Sequence, residues 1–60
     1  MTKLSYFEAR QTTIEYATAH GYTMYEDGCH MISPNGHCYH VDQLVNALVD
    51  AGTIQIKGGN

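Results

Sequence analysis

The polar positions between Ser5 and His20 recur with a helical period. At about 100° per residue, Glu8, Gln11, Thr12, Glu15 and Thr18 fall within one arc of roughly 120°. Tyr6, Phe7, Ala9, Ile14, Tyr16 and Ala17 take the opposite side. Both ends of the segment are marked. Ser5 and Glu8 form an S-x-x-E capping box, and Gly21 stands where a glycine ends a helix. Arg10 interrupts the apolar side. Its stem can follow the core edge while its head reaches water. The sharper reading pairs it with a carboxylate at a subunit interface.

A second helical pattern starts at Asp42, expected as its N-cap, and runs to about Ala51, with Gly52 closing it. Here Asp42, Gln43, Asn46 and Asp50 span only about 100° of the wheel. Leu44, Val45, Ala47, Leu48, Val49 and Ala51 fill the remainder. A surface helix ordinarily sets an apolar stripe against a wider polar face; these proportions are the reverse. One small sheet covers one side of such a helix. Either the first helix or a second copy of the chain must cover the flanks. Leu44, Val45, Leu48 and Val49, with Arg10, are therefore the expected interaction surface.

Between the two helices the period drops to two. Asp27-Gly28 and Pro34-Asn35-Gly36 are turn signals. The segments around them are rich in Tyr, Ile, Val and Thr, which predicts three antiparallel strands near 22–25, 29–33 and 37–41. After the second helix, TIQI alternates as a short fourth strand would. The expected architecture is one α+β domain over 1–60, ordered α-β-β-β-α-β, with KGGN (57–60) as a frayed tail.

Composition narrows the function. A chain of 60 residues buries a small core and usually needs a disulfide, a metal or a partner chain. The net charge is −3 and the firm cations are Lys3, Arg10 and Lys57. That disfavours nucleic-acid backbone binding, which needs clustered cations, and equally an anionic membrane surface. No apolar run reaches the roughly 18 residues of a membrane span. MTKLSYFEARQTT lacks the apolar region of a signal peptide, so a cytoplasmic location with reduced thiols is expected.

The chemistry concentrates in CHMISPNGHCYH, residues Cys29 to His40. Two hairpin registers are open. A three-residue loop with Gly36 in the bulge position pairs His30 with His40, Met31 with Tyr39 and Ile32 with Cys38. A two-residue Asn35-Gly36 turn instead pairs Ser33 with Cys38 and Met31 with His40; Pro34 favours the first. Neither register sets Cys29 opposite Cys38. In the second they share a face about 13 Å apart at strand rise, whereas a disulfide needs Cα atoms within about 7 Å. An intrachain bridge is therefore not expected.

In the first register His30, Cys38 and His40 share a face, and both residue types bind zinc. The fourth ligand is missing, and the spacing matches neither C-x2-C nor H-x3-H. The plainer reading is a cross-strand histidine pair beside a small cysteine. A Cys/His nucleophile pair from Cys38 with His30 or His40 lacks a third residue to orient the base. Glu26 and Asp27 fall in a turn, where Asp serves the backbone.

Taken whole, the chain resembles the small accessory proteins encoded in the early regions of lambda-like temperate phages. The likeness lies in some sixty acidic residues bearing Tyr and His, the capped helix and the compact hairpin ISPNGHCYH. It carries across no functional residue. It implies a cytoplasmic, non-enzymatic protein that acts by binding a host protein. The expected function is thus a self-associating protein-binding module without a cofactor. The alternatives are a zinc-stabilised mini-domain on His30, Cys38 and His40, and a DNA-binding regulator weakened by having few cations.

Overall fold

The computed structural model describes residues 3–57. Helix α1 covers Tyr6–Ala19, strands β1, β2 and β3 cover Thr23–Met24, His30–Ile32 and Cys38–His40, and helix α2 covers Val41–Asp50. The three strands form one antiparallel sheet in the order β1-β2-β3. The α+β reading holds, and the order is α-β-β-β-α.

α1 begins as the S-x-x-E pattern predicts. Ser5 Oγ accepts the Glu8 N–H at 3.1 Å, and the Glu8 carboxylate accepts the Ser5 N–H at 2.9 Å. It ends in a Schellman motif: the Tyr22 N–H reaches Ala17 O at 3.0 Å and the Gly21 N–H reaches Thr18 O at 3.1 Å. The buried row is Ala9, Thr13 and Ala17. These small side chains let α2 approach closely. The large aromatics Tyr6, Phe7 and Tyr16 stay on the flanks, and Phe7 is 66% exposed. Thr13 hides its hydroxyl by donating to Ala9 O at 2.7 Å.

The hairpin adopts the first register: His30 faces His40, Met31 faces Tyr39 and Ile32 faces Cys38. Ser33-Pro34-Asn35-Gly36 closes it. The Gly36 N–H reaches Ser33 O at 2.9 Å, and Gly36 takes φ +92°. The Ser33 N–H then donates to His37 O at 2.8 Å. Proline suits the first central position because its φ is already set there. Alternation does the rest. Met31, fully buried, joins Ala9, Ala17, Val41, Val45 and Ile54 in the core. His30 and Ile32 point to the opposite face, with Cys38 and His40 as partners.

Two expectations are corrected at α2 and after it. The N-cap is His40, not Asp42: His40 Nδ1 accepts the Asp42 N–H at 3.0 Å, and Gln43 Oε1 accepts the His40 N–H at 3.0 Å. The strand β3 runs directly into the helix, so the last strand residue becomes the cap. The second correction is TIQI, which forms no fourth strand. Its alternation is real, with Ile54 buried, Gln55 exposed and Ile56 half-buried. Among the described residues its partner is a single residue, and Ser5 already turns the chain into α1. Leu4 therefore makes one parallel bridge to Ile56, through Leu4 N to Gln55 O and Lys57 N to Leu4 O, each 2.8 Å. Of the expected tail, Lys57 is held by that bond; 58–60 lie outside the described residues.

Candidate functional site

α1 and α2 lie side by side in the same sense. Near their starts the Tyr6 hydroxyl donates to the Asp42 carboxylate. That bond pushes the Tyr6 hydroxyl above its ordinary pKa; burial and the carboxylate's charge act the same way, and Arg10 opposes them. Further along, the two helices line a groove of about 230 Å³. Its walls are Leu44, Ala47 and Leu48 from α2, and Thr13, Tyr16 and Ala17 from α1. Tyr22 and His20 close one end. The His20 ring stacks on Tyr16 with centroids 4.4 Å apart, and its Nδ1 lies 2.8 Å from Tyr16 O. A carbonyl only accepts, so that nitrogen is the donor.

The predicted interaction surface is therefore split. Leu44 and Leu48 are half-buried along the groove. Val45 is fully buried in the core and leaves the surface; this is a correction. The wheel gives its direction correctly, but α1 and the sheet together enclose it. Val49 lies on the other flank with Ile54 and Ile56. Arg10 is half-buried, and its guanidinium donates to Gly28 O at 3.3 Å. It ties α1 to the β1–β2 turn.

The outer face of the sheet carries the titratable cluster. Asp27 Oδ1 accepts the Cys29 N–H at 2.8 Å and the His30 N–H at 3.1 Å. Its other oxygen lies 2.6 Å from His30 Nδ1. These bonds, the Cys29 N–H foremost, hold the Asp27 carboxyl below the ordinary carboxylate range. Across the strand pair the His30 and His40 rings meet edge to face, centroids 4.9 Å apart. Asp27 is thus an orienting residue for His30 that sequence reading missed. The signal was there, an Asp three residues ahead of a His across a tight turn. Cys29 and Cys38 are exposed free thiols.

Among the described residues, no group of three or more His, Cys, Asp or Glu side chains is arranged to hold a metal ion. His30, Cys38 and His40 share a face, and each histidine has its Nδ1 engaged. His30 Nδ1 faces Asp27, and His40 Nδ1 accepts a backbone N–H. No described helix is long and apolar enough to cross a membrane. No protein-family model matches the chain, and no curated protein or solved structure matches it significantly.

Proposed function

We propose that the chain is a non-enzymatic, cytoplasmic protein-binding module that pairs with a second copy of itself through the groove between α1 and α2. The observation carrying this reading is the groove itself: Leu44 and Leu48, half-buried, wall an apolar cleft that no described residue fills. The size of the core favours a second copy as occupant. Among the described residues, Met31, Val41 and Val45 are the large apolar side chains buried completely. A single core of that size supplies few kcal/mol, and a twofold dimer enlarges it without lengthening the chain. Tyr16, exposed at the groove rim, offers each copy an aromatic contact for the other. Tyrosine is well suited to that role, with an apolar body and a polar tip. The paired module would then act on a host protein, as the likeness to phage accessory proteins implies. DNA binding has less support, with a net charge of −3.

Sedimentation at tens of micromolar tests the pairing. The expected mass is twice the 6.7 kDa of one chain. Leu48→Asp should return a monomer with an unchanged circular dichroism spectrum. A wild-type chain that sediments as one 6.7 kDa species overturns the proposal.

A further inference from the structure

His40 caps α2 with an atom that a proton can take away. Its Nδ1 accepts the Asp42 N–H at 3.0 Å. Acceptance requires a neutral ring with the proton on Nε2; an imidazolium has donors only. The charged groups around this ring come from every neighbouring element. From β2, the His30 ring stands 4.9 Å away edge to face, and from the β1–β2 turn Asp27 holds His30 Nδ1 at 2.6 Å. From α2, Asp42 Oδ2 lies 3.7 Å from His40 Nδ1. From α1, Tyr6 donates to the same Asp42 carboxylate, and Arg10 donates to Gly28 O beside Asp27. On β3, Cys38 shares the outer face.

We propose that His40 is a proton-operated cap, which releases the Asp42 N–H when its ring is charged and turns instead toward the Asp42 carboxylate. The geometry supplies both arms. In the neutral state Nδ1 holds the backbone N–H, and the Asp42 carboxylate is left to Tyr6. In the charged state Nδ1–H is a donor facing another donor, so the cap bond is lost. The carboxylate at 3.7 Å is the acceptor within reach. Tyr6 donates to the other oxygen, Oδ1, so the carboxylate can take His40 on Oδ2 without releasing α1. A charge on His30 is met by Asp27. Charges on both rings repel across the pair, which adds to the pressure on His40. The device is independent of whether the chain pairs, since no atom of it lies in the groove.

Nuclear magnetic resonance on the full chain reads the proton directly. The ring nitrogens of His40 and the amide of Asp42 are followed from about pH 8 to about pH 5, the span over which imidazoles charge. The Asp42 amide is expected to move with the His40 ring. Its exchange rate, corrected for intrinsic pH dependence, should rise by roughly fivefold, the loss expected of one cap. His40→Asn keeps a capping oxygen and removes the proton, so its Asp42 amide should stay still over the same span. His30→Gln should leave the coupling of His40 to the Asp42 amide in place. An Asp42 amide that stays fixed while the wild-type His40 ring titrates overturns the proposal. That outcome needs the wild-type chain alone, so a variant that fails to fold does not spoil the test. An Asp42 amide in His40→Asn that moves as in wild type overturns it equally.

Discussion

α1 and α2 are built with the same punctuation and opposite chemistry. Each starts in a reciprocal pair of cap bonds, and each ends in a Schellman motif on a glycine of positive φ. In α1 the cap is Ser5, which does not titrate, and the answering residue is Glu8, which does. In α2 the cap is His40, which titrates, and the answering residue is Gln43, which does not. The cores differ in the same way. α1 buries Ala9, Thr13 and Ala17, all small, whereas α2 buries Val41 and Val45. α2 fills the space and α1 yields it. The lesson is that two helices with interchangeable ends need not tolerate the same changes in volume or in pH.

The largest effect comes from attacking that asymmetry in the core. Val45 is fully buried, so Val45→Asp places an unpaired carboxylate among apolar atoms. That costs several kcal/mol, enough to abolish a cooperative unfolding transition in a domain this small. The opposite error belongs to α1. Ala17→Leu overfills a site that is 5% exposed and should cost about 1–3 kcal/mol. Ala47→Asp, on an exposed part of α2, should stay within about 0.5 kcal/mol unless the groove is occupied. Urea unfolding ranks the three. If Val45→Asp unfolds at the wild-type midpoint, α2 does not carry the core.

Much of this plan is legible in the residues, and the failures share a cause. Ser5, Glu8 and Gly21 define α1 because their signals are local and their residue types are the preferred ones. Pro34 and Gly36 decide the hairpin register for the same reason. His40 was hidden because histidine is not a preferred cap and Asp42, two residues on, is. The residue that gives it away is Gln43, three after His40, where a capping box puts Glu or Gln. TIQI shows the limit of periodicity. Its alternation reports which side is buried, and nothing in it reports that its partner among the described residues is Leu4 alone. The groove is tertiary in origin. The wheel shows that α2 has too much apolar surface, but which flank α1 covers depends on Ala9, Thr13 and Ala17 being small enough to dock.

The next effect separates the two C-terminal glycines, which look equivalent in sequence. Both carry positive φ, +92° at Gly21 and +77° at Gly52. A non-glycine residue in that region costs about 1–2 kcal/mol. At Gly52 an added Cβ meets nothing within 4 Å, so Gly52→Ala should cost that strain alone. At Gly21 the Cβ comes to 3.0 Å from Pro34 Cγ in the hairpin loop. Gly21→Ala should therefore cost more, and thermal unfolding should show the larger fall in midpoint there. Equal losses would mean that the loop gives way freely, and that α1 is not braced by the hairpin.

The smallest effect concerns protons on α1. The Glu8 carboxyl lies below its ordinary range chiefly because the Ser5 N–H donates to it, with the Ser5 side chain acting the same way. A carboxyl with a depressed folded-state pKa binds its proton more weakly folded than unfolded. Its contribution is therefore complete above the unfolded value, about 4.3 for Glu. It is lost as the pH falls through the lower folded value. The acid limb from Glu8 thus lies below about pH 4. Glu8→Gln keeps an oxygen for the Ser5 N–H and removes the titration. Stability at neutral pH should change little, and the fall in stability below about pH 4 should become shallower. Asp27, depressed chiefly by the Cys29 N–H, feeds the same limb, so Asp27→Asn should flatten it further. Chemical denaturation measured at closely spaced pH values from about 2 to about 5 resolves the two slopes. A limb that is unchanged in both variants would place the acid sensitivity elsewhere, and would leave the Ser5–Glu8 box as a local feature with no hold on the folded state.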